Sequence, residues 1–93
     1  MQFTIIARDG TSALDKRMAN RPEHLAGITA LKASGHLLDA GAMLGDDGGM
    51  IGSIVTYEVT DRAELDALLR KEIFVTAGVW RDIEIIPIRR AVI

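Results

Sequence analysis

The sequence lacks cysteine and any long apolar run, and it contains only two prolines. Without cysteine there is no disulfide framework and no thiolate ligand for a metal, which suits a reducing compartment. The first apolar run, at residues 3–7, is cut short by Arg8 and Asp9, so it predicts neither a signal peptide nor a membrane span. We therefore expect a cytoplasmic protein without a membrane partner.

Positive charge is not in excess, because 11 Lys and Arg residues are outnumbered by 13 Asp and Glu residues and the net charge is -2. Nucleic-acid binding needs clustered basic residues in excess, so this class of partner is not expected. The two histidines, His24 and His36, have no third His or Cys at ligand spacing, and the acidic turn at residues 45–49 lacks the ligand pattern of a calcium loop. We expect neither a metal nor a cofactor.

Apolar residues, in contrast, are plentiful: 48% of the 93 residues are hydrophobic, which fits a single domain over residues 1–93. Their spacing alternates between strand-like and helix-like segments. We predict strands at residues 3–7, 36–44, 50–59 and 79–88, and helices at residues 12–34 and 60–71. This order predicts an α+β, ferredoxin-like βαββαβ fold, in which a four-stranded antiparallel sheet carries both helices on one face.

Two segments depart from regular structure in this prediction. Pro22 has no N–H to donate, and Asn20 is a good capping residue, so we expect the first helix to kink or break near Asn20. Residues 72–78 lack a clear period and are predicted to be an irregular return to the last strand.

The predicted strands carry apolar residues on both of their faces, for example Ile5 beside Ile6 and Val55 beside Ile54. Helices on one side of the sheet would leave the other side exposed. A homodimer that packs sheet against sheet would cover it.

The most promising residues for chemistry are Asp9, at the end of the first strand, and His24, on the buried stripe of the first helix. A carboxylate that reaches a histidine fixes its tautomer and makes it an oriented base. We predict that the fold brings these two residues together. The alternative is that His24 only satisfies a helix-end hydrogen bond and Asp9 only caps the following turn.

Other polar residues near this pair are candidates for binding a ligand. Ser53 follows Gly52, whose small size lets a ligand approach the backbone. Asp39, inside the second strand, either pairs with an arginine, lines a pocket or faces solvent at a sheet edge. Bidentate contacts to a phenolate, enolate or carboxylate are possible for three arginines, of which we expect at most one to be used: Arg8, Arg17 and Arg21.

These residues fall in blocks that resemble those of the YciI-like (YCII-related) family of dimeric α/β-barrel proteins. The blocks are Ala7-Arg8-Asp9-Gly10, residues 17–25, residues 37–41, Gly52-Ser53, residues 77–80 and residues 84–88. The resemblance implies a ferredoxin-like fold, a dimer formed by sheet packing, an active site centred on His24 and Asp9, and Ser53 facing the cleft. The sequence departs from the family at residues 72–74, where an Asp-Pro-aromatic run is usual and Glu72-Ile73-Phe74 stands instead.

The resemblance also implies a function. The family is similar to a small dehydrochlorinase that removes chloride from a chlorinated hydroxyhydroquinone, and it shares its architecture with muconolactone isomerases. We expect a cofactor-free lyase in which His24 is the general base, Asp9 orients it, and Ser53 with one arginine holds the oxyanion. The alternatives are a muconolactone-isomerase-like isomerase, a non-catalytic module that binds a small ligand, and a protein whose dimer surface is its whole function.

Overall fold

The protein, described here by a computed structural model of all 93 residues, forms one four-stranded sheet with three helices. The elements are β1 (Gln2–Asp9), α1 (Leu14–Ala33), β2 (Leu37–Leu44), β3 (Met50–Glu58), α2 (Arg62–Lys71), α3 (Ile73–Thr76) and β4 (Trp80–Ile88). The strands are antiparallel in the order β2-β3-β1-β4. The predicted ferredoxin-like fold is therefore confirmed. No helix combines the length and the apolar character that crossing a membrane requires.

The core lies on one face of the sheet, where alternate residues of the strands meet the helices. Ile5 of β1 and Val55 of β3 are register partners on this face, and both are almost completely buried. Leu65 of α2 and Phe74 of α3 join the same cluster. Because side chains alternate along a strand, Ile6 and Ile54 lie on the opposite face, which no helix of this chain covers.

The first helix is uninterrupted from Leu14 to Ala33, and the predicted break near Asn20 is wrong. Asn20 donates its Nδ2 hydrogen to the carbonyl oxygen of Lys16 at 2.9 Å instead of capping a new helix. Arg17 and His24 are buried on either side of Pro22, so tertiary packing supports one continuous helix through the proline. Gly35, at φ +83°, follows the end of the helix as predicted.

A third helix replaces the irregular return predicted for residues 72–78. The side chain of Glu72 starts it, because Oε2 accepts the N–H of Phe74 at 3.1 Å. The helix has only four residues, so its apolar side chains are too few to show a period in the sequence. It places the ring of Phe74 in the core beside α1.

Candidate active site

A cleft of about 130 Å³ lies between α1 and the hairpin of β2 and β3, and we call it the front cleft. Its polar lining consists of Arg17, Arg21, His24 and Ser53, while its other lining residues are small or apolar. The three α1 residues share a face because they are spaced by four and three positions. Ser53 has the same strand parity as the buried Val55, so it points toward the helices. The fold thus gathers four of the six residues predicted from the sequence.

His24 is held by Glu72, and the predicted contact with Asp9 is wrong. The Nδ1 atom of His24 lies 2.7 Å from Oε1 of Glu72, and their side chains are only 7% and 9% exposed. Asp9 instead pairs with Arg17. Arg17 and His24 are seven residues apart on one continuous helix, which separates them by about 10 Å along its axis. One carboxylate at the end of β1 therefore serves Arg17, and a different one serves His24.

Aromatic rings fix the plane of the His24 side chain. Its ring is stacked on Phe74, with ring centroids 3.9 Å apart and an interplanar angle of 8°. The ring of Trp80 meets the imidazole edge-on at 5.9 Å. With Nδ1 engaged by Glu72, Nε2 is the one ring nitrogen of His24 without a hydrogen-bond partner in the chain. The histidine is thus oriented, and it has one nitrogen available for a ligand in the front cleft.

Glu72 is the functional residue that the sequence reasoning missed. One of its oxygens accepts from the imidazole and the other accepts the backbone N–H of Phe74, so Glu72 orients the histidine and starts the helix that supplies the stacking ring. A signal existed in the sequence. Glu72 stands at the start of the segment where the family usually has Asp-Pro-aromatic, and a carboxylate two residues before an aromatic residue is kept.

The guanidinium of Arg17 is almost completely buried and forms hydrogen bonds with residues of both β1 and β3. Its Nε donates to Oδ2 of Asp9 at 3.0 Å. Its Nη2 donates to the carbonyl oxygen of Gly52 and to Oγ of Ser53, the latter at 2.6 Å. The guanidinium also lies over the ring of Phe74, 4.9 Å from its centroid. Nη1 has no partner in the chain, which leaves one donor group of Arg17 for a ligand.

Ser53 has only its hydrogen left to offer. Its Oγ accepts from Nη2 of Arg17 and from Nε1 of Trp80, the second at 3.2 Å. A serine hydroxyl accepts two hydrogen bonds and donates one. Because both acceptor positions are filled by obligate donors, the O–H of Ser53 is free to donate to an oxygen atom of a bound molecule.

Burial governs the electrostatics of the pair that Asp9 forms with Arg17. It raises the pKa of Asp9 above its usual value of 3.8, and the charge of Arg17 opposes this rise. It likewise lowers the pKa of Arg17, which the charge of Asp9 opposes. The second carboxylate oxygen of Asp9, Oδ1, is buried without any hydrogen-bond partner, which is consistent with a destabilised charged form.

Three residues singled out in the sequence do not line the front cleft: Arg8, Asp39, and Asp9, which pairs with Arg17. Arg8 has the strand parity of the uncovered face, where its Nη1 lies 3.6 Å from Glu84, so the expectation that it lines the site is wrong. Asp39 is exposed on β2 and pairs with no arginine. Arg21 lines the cleft and makes no hydrogen bond with the chain.

Comparison with known sequences identifies the family of this fold and site. Residues 1–89 match the YCII-related domain, and the chain belongs to that family. It is 32% identical over 96 aligned residues to Protein YciI of Escherichia coli O6:H1, an alignment that covers 97% of this chain and 98% of the relative. The family resemblance inferred from the sequence blocks is confirmed.

Solved structures extend the comparison. The chain is similar to the 5-chloro-2-hydroxyhydroquinone dehydrochlorinase of Burkholderia phenoliruptrix AC1100, solved in complex with 2,5-dihydroxybenzoquinone. The TM-score is 0.88 and the identity 27%, over 98% of this chain and 96% of that one. A dimeric ferredoxin-like protein of Jannaschia sp. CCS1 matches at a TM-score of 0.50 and 16% identity, over 96% and 97% of the chains, and this likeness shows the fold alone.

Proposed function

We propose that the protein is a cofactor-free lyase that removes HCl from a small chlorinated ring of the hydroxyhydroquinone type. The observation that carries the proposal is the state of His24, whose Nδ1 is fixed by Glu72 while Nε2 faces no partner in a cleft that also offers donors. The similarity to a dehydrochlorinase over nearly the whole chain supports this substrate class.

The size of the front cleft favours one ring. Pockets for drug-sized ligands usually measure roughly 300–1,000 Å³, and this cleft has about 130 Å³. Leu25 and Ile28 of α1 form one apolar side, and Ala40 and Ala42 of β2 lie across from them. A flat monocyclic molecule fits between two such walls, with its hydroxyl groups toward the polar residues.

In the proposed mechanism, His24 moves protons and its neighbours hold charge. Nε2 of His24 takes a phenolic proton and returns it to the chlorine-bearing carbon, which converts the ring to its keto tautomer. Loss of a second hydroxyl proton to the same nitrogen then forms a carbonyl group as the C–Cl bond breaks and its electron pair leaves with chloride. The net loss is one proton and one chloride, and the product is a quinone.

The oxyanion formed in each deprotonation needs donors that are already in place. The O–H of Ser53 and the Nη1 group of Arg17 are the unused donors of two buried residues in the cleft. Asp9 contributes by holding Arg17, so in this proposal it is a positioning residue and Glu72 takes the orienting role first expected of Asp9. Donors fixed before the reaction stabilise developing charge without reorganisation.

Chloride release from 5-chloro-2-hydroxyhydroquinone tests the proposal. We expect His24→Ala to lower kcat by roughly 10²–10⁴-fold, the usual contribution of a general base. His24→Gln serves as a second variant that keeps a donor for Glu72 and fills the stack on Phe74. The matched control is His36→Ala, because His36 lies outside the cleft and its Nδ1 pairs with Ser34.

Two results would contradict the lyase. One is a folded His24→Ala protein that releases chloride at the wild-type rate. The other is a wild-type protein that binds 2,5-dihydroxybenzoquinone but releases no chloride from the chlorinated quinol, which would favour a non-catalytic binding module. The two arginines in the cleft would then serve to hold an acidic ligand.

A further inference from the structure

Arg21 is the one charged residue of the front cleft that nothing in the chain neutralises. It lies on α1 four positions after Arg17 and three before His24, on the helix face that lines the cleft. Its side chain forms no ion pair and no hydrogen bond within the chain, and the residue is only partly exposed. A half-buried guanidinium has lost part of its hydration and gained no partner for it. An anionic group from outside the chain would supply that partner.

The charges around the front cleft leave a surplus of one positive charge. Arg17 and Arg21 are the charged side chains of the lining, and no carboxylate belongs to it. Asp9 neutralises Arg17 from outside the lining, and Glu72 is paired with His24. Burial is the main cause that lowers the pKa of Arg17, and the nearby charge of Arg21 lowers it further. A ligand with a negative charge would therefore relieve a repulsion within the cleft.

The hydrogen-bonding groups of the lining are also unequal in number, because nearly all of them are donors. The unused donors are the guanidinium of Arg21, the Nη1 group of Arg17 and the O–H of Ser53. Nε2 of His24 is the one side-chain acceptor left, since Nδ1 carries the proton that Glu72 accepts. The matching ligand has several acceptor oxygens and one hydroxyl group to donate to His24.

We propose that Arg21 is the specificity residue of the front cleft and selects flat rings that carry an ionised oxygen besides a hydroxyl group for His24. This inference rests on the proposed function and narrows its substrate class. Two kinds of ring have such an oxygen: a ring with a carboxylate substituent, and a hydroxyquinone, whose hydroxyl group is a vinylogous acid that ionises at neutral pH. Binding of this oxygen adds no step to the proposed reaction, in which Ser53 and Arg17 hold the oxygen that reacts.

Arg17 cannot make this selection, although it also lines the cleft. Its guanidinium is already neutralised by Asp9, so an oxygen at its Nη1 group gains a hydrogen bond but little from a net charge. At Arg21 a neutral ring leaves the guanidinium unpaired, whereas an acidic ring pairs with it. Specificity is the difference between these two affinities. A carboxylate can moreover accept two parallel hydrogen bonds from one guanidinium.

Calorimetric binding of three small rings at neutral pH tests the role of Arg21. The rings are hydroquinone, which is neutral, 2,5-dihydroxybenzoate, which has a carboxylate, and 2,5-dihydroxybenzoquinone, which is a vinylogous acid. We expect the wild type to bind the two acidic rings about tenfold or more tightly than hydroquinone. Arg21→Gln should lose about tenfold in affinity for the acidic rings and keep its affinity for hydroquinone. Arg21→Lys keeps the charge without the paired donors, so it should fall between the two.

Lys16→Gln is the matched control. It removes one positive charge from the same helix at an exposed position that does not line the front cleft. We expect its affinities for all three rings to equal those of the wild type. Added salt should weaken the binding of acidic rings to the wild type more than to Arg21→Gln, because Arg21 is partly exposed.

Three results would overturn the role of Arg21: a wild type without preference for acidic rings, an Arg21→Gln protein that loses hydroquinone equally, and a Lys16→Gln protein that loses acidic rings as Arg21→Gln does. A loss in Arg21→Gln confined to one acidic ring would support the role and show which acid is selected. None of the three rings contains chlorine, so the result is independent of turnover. A wild type that selects acidic rings through Arg21 and releases no chloride from the chlorinated quinol would overturn the lyase alone.

Discussion

At the residue scale, two carboxylates, Asp9 and Glu72, contact side chains of α1, whereas the sequence predicted such a contact for Asp9 alone. Asp9 and Glu72 are 63 positions apart in the chain, yet each meets a cationic or basic side chain of α1. Periodicity placed His24 on the inner face of the helix, but it did not place Arg17 there, although Arg17 is buried as well. It could not show which carboxylate contacts His24, because that depends on where α1 lies along the sheet.

The stability of the protein should depend on pH through Asp9. Its folded-state pKa is raised above the unfolded value of 3.8, so the folded protein binds more protons than the unfolded one just above that pH. The contribution of Asp9 to stability is therefore complete below pH 3.8 and is lost as the pH rises through the raised pKa. In Asp9→Asn this titration is absent.

We expect the unfolding free energy of the wild type, relative to that of Asp9→Asn, to fall as the pH rises above 3.8. Denaturant titrations of both proteins across the acid range measure this difference, in which the other carboxyl groups cancel. A difference that grows with pH would show that the charge of Arg17 outweighs burial and lowers the pKa of Asp9.

At the element scale, α1 carries most of the candidate site and also contains the proline that predicted its break. Pro22 is exposed within the helix, and the carbonyl oxygen of Met18 loses its usual donor there. The capping pattern around Asn20 is a local preference. It is outweighed because one continuous helix brings the buried residues on both sides of Pro22, Arg17 and His24, to the cleft together.

Pro22→Ala should therefore stabilise the protein. It restores one backbone hydrogen bond in an exposed part of the helix, and we expect the unfolding free energy to rise by about 1–3 kcal/mol. Chemical denaturation measures the gain, with Glu23→Ala as the exposed neighbouring control. A loss of stability would mean that α1 depends on a local distortion at Pro22.

At the scale of the whole molecule, one face of the sheet remains uncovered. Ile54 is 43% exposed at the middle of β3, next to Ile6 of β1, and Ile86 and Ile88 of β4 belong to the same face. Opposite charges such as Arg8 and Glu84 lie beside this apolar patch. The homodimer remains a prediction, and this face is the surface on which it would form.

We expect the wild type to sediment with the mass of two chains and Ile54→Glu to sediment as one, because a charge buried between two sheets would lack a partner. Analytical ultracentrifugation gives both masses. The matched control is Met18→Glu, which changes a residue of α1 that is 48% exposed on the other side of the sheet. A monomeric wild type, or an Ile54→Glu protein that stays dimeric, would contradict dimerisation through this face.

The sequence by itself determined what depends on neighbouring residues. Alternation in strands such as β1, the three- and four-residue spacing in α1, and the glycine at Gly35 set the elements, their order and the ferredoxin-like fold. It also placed His24 on an inward face, because a face is fixed by local period.

Only the tertiary structure decided which inward residues touch. The pairing of His24 with Glu72 joins positions 48 residues apart and depends on the height of α1 above the sheet and on a four-residue helix with no detectable period. The same packing turned Asp9 toward Arg17 and away from His24. Such contacts follow from how whole elements pack against each other, and the local sequence pattern does not determine this packing.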